Sequence, residues 1–199
     1  MSTETATKLL TADEFFDWVM RPENQPRHYE LERGKVVEVS RPGERHGLVC
    51  GNVTTMLNLY VRKRRKGYAL SNDSGVILER DPDTVRGPDV MYFEKSKNYD
   101  QMNPKFAEGV PTLAVEVLSP NDRHGKTARR IAEFQKAGIP LVWVIDPDER
   151  DVTVYRRGQA PYVIENGQEL TGDDVLPEFR CPIAEFFYAP EEQANGGAA

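Results

Sequence analysis

Cysteine is scarce in this sequence: of its 199 residues, only Cys50 and Cys181 are cysteines. The two lie in unrelated segments and lack the short spacing between ligands that zinc-binding motifs use. This distribution argues against a zinc site and excludes a framework of several disulfides. It is typical of a protein of the reducing cytosol.

Long hydrophobic runs are also missing. No apolar run reaches the roughly 20 residues that a helix needs to cross a bilayer. The N-terminus, MSTETATKLL, has no basic start followed by an apolar stretch, so it does not resemble a secretory signal. We therefore expect a cytoplasmic protein without a membrane partner.

Positive charge is not in excess, because 26 Lys and Arg residues stand against 32 Asp and Glu residues, for a formal net charge of −6. This balance speaks against nonspecific binding of nucleic acid over the whole surface. A partner such as DNA would have to contact a local basic patch. Two such patches are present, RKRRK at residues 62–66 and RHGKTARR at residues 123–130.

Three segments predict helices. Thr11 and Glu14 have the spacing of a capping box, which predicts a short first helix. Residues 44–67 carry apolar side chains at helical spacing and end in a basic turn followed by a glycine, which predicts a long amphipathic helix. A third helix is predicted from about residue 125 to 137, closed by Gly138.

Runs rich in β-branched and aromatic residues predict strands at residues 68–70, 75–80, 89–93, 112–118, 141–147 and 151–157. Residues 28–40 predict a hairpin that turns at Arg33 and Gly34. The tail carries the short segments YVI (162–164) and VLPEF (175–179) and a helical turn at IAEFF (183–187). We expect one α/β domain over residues 1–190, with a mixed central β-sheet flanked by helices, and a disordered tail at 191–199.

The strand predicted at 112–118, TLAVEVL, carries one carboxylate, Glu116, within an apolar run. Alternation along the strand puts Ala114 and Leu118 on the same face as Glu116 and the two flanking valines on the other. Burying an ionised carboxylate costs on the order of several kcal/mol unless a cation, hydrogen bonds or a shifted pKa compensates. Asp89 stands at the mouth of the preceding strong strand. If the two strands pair, both carboxylates can bind one divalent cation, and oxygen ligands suit Mg²⁺ or Mn²⁺. Taken alone, Asp89 is better explained as a turn residue.

The helix that follows Glu116 carries cations beside its apolar stripe. Lys126 and Arg130 lie along one edge of the stripe, while Arg129 points to solvent. Arg130 is the nearer of the two, so it can lean into a cleft beside the sheet. The alternative is that all three residues only solvate a surface face.

Several motifs, taken in order, resemble the Uma-type family of putative restriction endonucleases. They are YELERG, RHG at the start of the long helix, GPDVMYF, LAVEVLSPNDR, FQKAGIPLVWVIDP and VTVYR, and they run from about Tyr29 to Phe187. This family belongs to the PD-(D/E)XK nuclease superfamily. The resemblance therefore implies a restriction-endonuclease-like core and a metal-dependent nuclease.

The resemblance also implies roles for four residues. Asp89 is similar to the Asp of the PD motif and Glu116 to the acidic residue of the second motif, which makes both metal ligands. Glu30 matches an acidic position that completes the site in the family, and His46 matches a recurrent histidine. The alternatives are that Glu30 lies on the exposed side of a hairpin and that His46 only forms local hydrogen bonds.

The sequence departs from the superfamily pattern at the lysine. The E-X-K spacing places that lysine at Leu118. In Uma-type proteins it comes instead from the following helix, at the position of Arg130, with Lys126 one turn earlier as the alternative supplier. Arginine can bind phosphate through two nitrogens, but it is a poor proton carrier.

The function that the resemblance implies is hydrolysis of DNA phosphodiester bonds. Asp89 and Glu116 would hold Mg²⁺ or Mn²⁺, and Arg130 or Lys126 would stabilise charge on the phosphate. Two alternatives stay open: a catalytically inactive dimeric nucleic-acid-binding or scaffold protein of the same fold, and metal-independent hydrolysis by the two carboxylates as acid and base. The superfamily and the apolar strands near the C-terminus also suggest a homodimer.

Overall fold

A computed structural model describes residues 8–119 and 124–190, with His124 described by its backbone alone. These ranges contain the α-helices α1 (Ala12–Val19), α2 (Glu44–Arg64) and α3 (His124–Lys136), and short 3-10 helices at Tyr99–Gln101 and Ile183–Phe187. The strands are β1 (His28–Glu32), β2 (Lys35–Val39), β3 (Tyr68–Ser71), β4 (Val76–Glu79), β5 (Thr84–Arg86), β6 (Val90–Phe93), β7 (Leu113–Val117), β8 (Leu141–Asp146), β9 (Asp151–Arg156), β10 (Tyr162–Ile164), β11 (Glu169–Thr171) and β12 (Arg180–Pro182).

Six strands form the central sheet, in the order β10-β9-β8-β7-β6-β3. Strands β7 and β8 are parallel and are joined through α3, whereas the other neighbours are antiparallel. A parallel pair needs such a crossover, because its two strands run in the same direction. The predicted mixed central β-sheet flanked by helices is confirmed.

Different helices cover the two faces of the central sheet. Helix α2 packs Val53 and Leu57 against one face, where the C-terminal segment adds Phe179. Helix α3 packs Ile131 and Phe134 against the other face. These side chains are buried, so the sheet lies between two apolar layers.

The side chains of β7 alternate between these two layers. Val115 and Val117 pack on the α2 side, and Ala114 packs on the α3 side. Because successive strand residues point to opposite faces, Glu116 shares the face of Ala114 and points toward α3. The sequence predicted that Glu116 and Ala114 share a face, and the packing of α3 on that face places the carboxylate beside the cations of α3.

A second, antiparallel sheet of four strands has the order β2-β1-β5-β4. Its β1–β2 hairpin turns at Arg33 and Gly34, which both have positive φ, as a two-residue hairpin loop requires. Helix α1 begins with the predicted capping box between Thr11 and Glu14. This helix packs Phe15 against the four-stranded sheet.

Some elements differ from the sequence prediction. The three-residue strands β5, β11 and β12 were not predicted, because three residues are too few to show an alternating pattern. The segment YVI forms β10, whereas VLPEF lies in turns that bury Leu176 and Phe179. Residues 191–199 lie outside the described residues. None of the described helices is long and apolar enough to cross a membrane.

Candidate active site

Strand pairing brings Asp89 and Glu116 together. Strands β6 and β7 are antiparallel with Val90 opposite Val115, so Asp89, directly before β6, lies at the end of the sheet where Glu116 lies. Oδ2 of Asp89 accepts a hydrogen bond of 2.6 Å from the backbone N–H of Val117. Both carboxylates line one cavity of about 390 Å³.

Glu116 is buried without full hydrogen bonding. Its side chain is 14% exposed, and its Oε1 atom has no hydrogen-bond partner within the described part of the chain. Burial raises the pKa of Glu116 to about 8; the charge of Arg130 opposes this increase, while the charge of Asp89 adds to it. A buried carboxylate oxygen without a donor favours the proton or a cation.

Arg130 leans from α3 into the cavity and contacts three groups. Its Nε atom lies 2.7 Å from Oε2 of Glu116, and its Nη1 atom donates to Oε2 of Glu30 over 2.8 Å. Its Nη2 atom donates to the carbonyl oxygen of Gly87 over 2.8 Å. Burial lowers the pKa of Arg130, but the charges of Glu116 and Glu30 outweigh burial and raise it. The guanidinium is therefore a fixed cation.

Glu30 is the anion that holds this cation in place. It is 7% exposed, which excludes the exposed side of a hairpin. Its Oε2 atom accepts from both Arg86 and Arg130, at 3.0 and 2.8 Å, and its Oε1 atom accepts from the backbone N–H of Gly87 at 2.9 Å. Because both oxygens already accept hydrogen bonds, this arrangement favours a positioning residue over a metal ligand.

Arg86, on β5, is a member of the site that the sequence analysis missed. Besides Glu30, it bonds Glu133 of α3, with Nε–Oε2 and Nη2–Oε1 distances of 2.8 and 3.0 Å. It is buried and links the four-stranded sheet to α3. The available signal was an arginine directly before Gly87, in a segment too short to predict a strand.

His46 lies in the first turn of α2 and connects Asp89 to Cys50. Its Nε2 atom lies 3.2 Å from Oδ1 of Asp89, and its Nδ1 atom lies 3.4 Å from Sγ of Cys50, one turn later. Burial lowers the pKa of His46, but the hydrogen bond and charge of Asp89 outweigh burial and raise it. Burial and the nearby carboxylates raise the pKa of the Cys50 thiol.

Asp73, in the turn between β3 and β4, is a second residue that the sequence analysis missed. Its carboxyl contacts that of Asp89; burial and this contact raise the pKa of Asp73. Gly87 permits the approach, because a Cβ atom there would lie 2.6 Å from the carbonyl oxygen of Asp73. Asp73 has a positive φ of 50° and lines the same cavity as Glu116.

The remaining basic candidates lie further from Glu116. Lys126 is exposed and lines the mouth of the cavity. In the patch at 62–66, Arg64 and Lys66 both pair with Glu94. This patch ends α2, about 27 Å along the helix from His46 at 1.5 Å per residue. In the patch at 123–130, the first residue and the side chain of the second lie outside the described residues.

The chain is similar to known proteins in sequence and in structure. The model of the Uma2 family, described as a putative restriction endonuclease, matches residues 12–184. A putative nuclease of DUF820 from Anabaena variabilis has a similar crystal structure: the TM-score is 0.71, the identity is 26%, and the match covers 89% of this chain and 97% of that chain. A comparison with curated proteins gave no match. The α/β core is a restriction-endonuclease-like fold, and the chain belongs to the Uma2 family of putative restriction endonucleases.

Proposed function

We propose that this protein is an endonuclease that uses Mg²⁺ or Mn²⁺ to hydrolyse phosphodiester bonds of DNA. The observation that carries the proposal is the buried Oε1 atom of Glu116, next to Asp89: this oxygen has no hydrogen-bond partner among the residues that the structure describes. Two carboxylates at one end of a sheet, one of them lacking a donor, are the hard oxygen ligands that these cations prefer.

Asp89 and Glu116 would hold the metal ion, and Asp73 would add a third carboxylate beside them. Asp89 is preoriented, because the backbone N–H of Val117 fixes its second oxygen. When bound, the metal ion supplies a water of lowered pKa and polarises the phosphate. Glu116 has to give up its proton first, so metal binding and ionisation of this carboxyl are coupled.

Arg130 contributes positive charge beside the phosphate. Glu30, Gly87 and Glu116 hold its guanidinium at the cavity, so no reorganisation is needed when negative charge develops. Its proton stays on the guanidinium, since the neighbouring carboxylates raise the pKa of Arg130 further. Arg130 therefore acts through charge, and the proton of the attacking water has to go to another acceptor.

DNA would enter from the exposed side of the cavity. Lys126 is exposed at its mouth and would contact a phosphate next to the cleaved one. The exposed basic residues at the end of α2 lie about 27 Å from His46 along the helix, so they would contact the same duplex several base pairs away. Binding should weaken steeply with salt, because phosphate contacts release counterions.

A second candidate is a nucleic-acid-binding protein of the same fold without turnover. The contact between Arg130 and Glu116 favours this candidate, because a protein cation already lies against one oxygen of Glu116. It predicts DNA binding without cleavage in any metal. Metal-independent hydrolysis by the two carboxylates would instead continue in chelator.

The test is nicking of supercoiled plasmid and cleavage of single-stranded DNA, with Mg²⁺, Mn²⁺ or chelator. Asp89→Asn and Glu116→Gln keep the side-chain shape and should lose activity, whereas the exposed carboxylate control Glu108→Gln should retain it. Cleavage that persists in both site variants is contamination. Cleavage in chelator would overturn the metal-dependent mechanism.

A further inference from the structure

His46, Cys50 and Asp89 form a group with a different donor chemistry from the carboxylates. One ligand atom from each lies within 4.8 Å of the other two, and the group joins a thiol, an imidazole and a carboxylate. The sulfur and nitrogen atoms of this group are softer donors than the carboxylate oxygens of Glu116. Such a donor set suits thiophilic cations and not Mg²⁺.

We propose that His46, Cys50 and Asp89 bind a thiophilic divalent cation such as Zn²⁺, and that this cation competes for Asp89 with the metal ion of the proposed nuclease. The binding itself does not depend on nuclease activity, while the competition rests on the proposed function. The cation would therefore inhibit the enzyme by removing one of its two metal ligands.

The distances within the group agree with this chemistry. In a tetrahedral zinc site, sulfur and nitrogen ligands at normal bond lengths lie about 3.6 Å apart. Sγ of Cys50 lies 3.4 Å from Nδ1 of His46. The spacing of four residues on α2 puts both side chains on one helix face, so their approach is built into the helix.

Asp89 supplies the third ligand, and one of the contacts of His46 has to change when it does. Its Oδ1 atom lies 3.2 Å from Nε2 of His46, so the imidazole at present uses one ring nitrogen for each neighbour. A cation would bind one of these nitrogens, and that nitrogen would lose its contact with Asp89 or Cys50. Cys50 would bind as the thiolate and release its proton to solvent.

No spacing motif in the sequence identifies this group, because its members come from two parts of the fold. Cys50 and His46 lie on α2, whereas Asp89 precedes β6. Spacing along the chain therefore argued against zinc, although the fold assembles three ligands. The second cysteine, Cys181, is buried on β12 and donates to the carbonyl oxygen of Pro182, which makes it a matched control.

Co²⁺ is the probe, because a thiolate ligand gives it a charge-transfer band in the near ultraviolet. Titration of the whole chain with Co²⁺ should produce this band, and Zn²⁺ should displace it. The band should persist in Cys181→Ser and disappear in Cys50→Ser. The apparent Zn²⁺ affinity of Cys50→Ser should be at least about tenfold weaker than that of the unaltered protein. Absence of the band in the unaltered protein, or its persistence in Cys50→Ser, would overturn the site.

Two further measurements separate this proposal from the nuclease. Cys50→Ala, checked by circular dichroism for unchanged folding, should also lose the band. Excess Mg²⁺ should weaken Co²⁺ binding at least about tenfold in the unaltered protein if both cations need Asp89. No effect of Mg²⁺ would overturn the competition. A Co²⁺ band in a protein that never cleaves DNA would leave this site in place and overturn the nuclease alone.

Discussion

The Nε atom of Arg130 lies 2.7 Å from Oε2 of Glu116, and both side chains are largely buried, at 18% and 14% exposure. Glu30 also holds this guanidinium. In the proposed nuclease, Arg130 would supply the cation that lysine supplies in the E-X-K pattern. Its position beside Glu116 arises from the crossover, because α3 follows β7 and packs on the face toward which Glu116 points.

The charge of Arg130 is predicted to stabilise the folded protein. Arg130→Met leaves the buried carboxylates of Glu30 and Glu116 without this cation and should lower the free energy of unfolding by about 3–5 kcal/mol. Urea denaturation measures this loss.

The charge of Arg130 is predicted to act in cleavage. Arg130→Lys retains the charge, and its rate of DNA cleavage should stay within about tenfold of that of the unaltered protein, whereas the rate of Arg130→Gln should fall about 100-fold or more. Equal activity of the Gln variant would show that the charge is not used.

Glu30 is predicted to act through Arg130 and not through the metal. Glu30→Gln removes the anion shared by Arg86 and Arg130 and should lower the free energy of unfolding by about 1.5–3 kcal/mol. Its Mn²⁺ affinity, measured by calorimetry, should stay within about threefold of that of the unaltered protein, because Glu30 is not a ligand. Glu38→Gln, on the same hairpin but exposed, is the control and should change neither quantity. A large loss of Mn²⁺ affinity in Glu30→Gln would make Glu30 a ligand after all.

The raised pKa of Glu116 predicts how metal binding and stability depend on pH. Since the carboxyl is protonated below about pH 8, Mn²⁺ affinity should rise by up to about tenfold per pH unit below that value and level off above it. Without metal, the folded-state pKa exceeds that of the unfolded chain. The contribution of Glu116 to stability is therefore fully present at low pH and is lost as pH rises through about 8.

Calorimetric titrations at several pH values check both statements about Glu116. Glu116→Gln carries no titrating group and should lose this part of the pH dependence. An Mn²⁺ affinity in the unaltered protein that is constant from pH 6 to pH 8 would show that the carboxyl is already ionised.

The lowered pKa of Glu94 predicts the opposite pH dependence of stability, at acid pH. Burial raises its pKa, but hydrogen bonds from Arg64, Lys66 and Tyr92 outweigh burial and lower it to about 2. Stability from this group is therefore present above the unfolded pKa of about 4.5 and is lost as pH falls toward 2. Glu94→Gln should be less stable than the unaltered protein at pH 6, and the difference should shrink at pH 3. Equal differences in the free energy of unfolding at both pH values would contradict the lowered pKa of Glu94.

Much of the fold was predictable because its signals are local. The capping box at Thr11, the apolar spacing along α2 and the alternation around Glu116 each depend on a few neighbouring residues, and the structure has the predicted helices, hairpin and strand orientation. The strand β5 was not predictable, because its three residues are all buried and show no alternation.

The site was predictable only where a charge stood out against an apolar background. Glu116 interrupts a buried strand, and Arg130 borders an apolar stripe, so both were visible in the sequence. Arg86 and Asp73 were not, because their partners come from other elements: β1 and α3 for Arg86, and the residues before β6 for Asp73. Cys50 contacts His46 on its own helix, but only the fold adds Asp89 to this pair. Such contacts depend on strand register and loop conformation, which local patterns do not determine.

Calorimetric titration of the chain with Mn²⁺, beside Glu116→Gln and Glu108→Gln, tests the central claim most directly, because it measures the metal site without requiring the correct DNA. The account predicts saturable binding by the unaltered protein and by Glu108→Gln, and a loss of at least about tenfold in affinity for Glu116→Gln. Undiminished binding in Glu116→Gln, or no binding by the unaltered protein at pH 8, would contradict it.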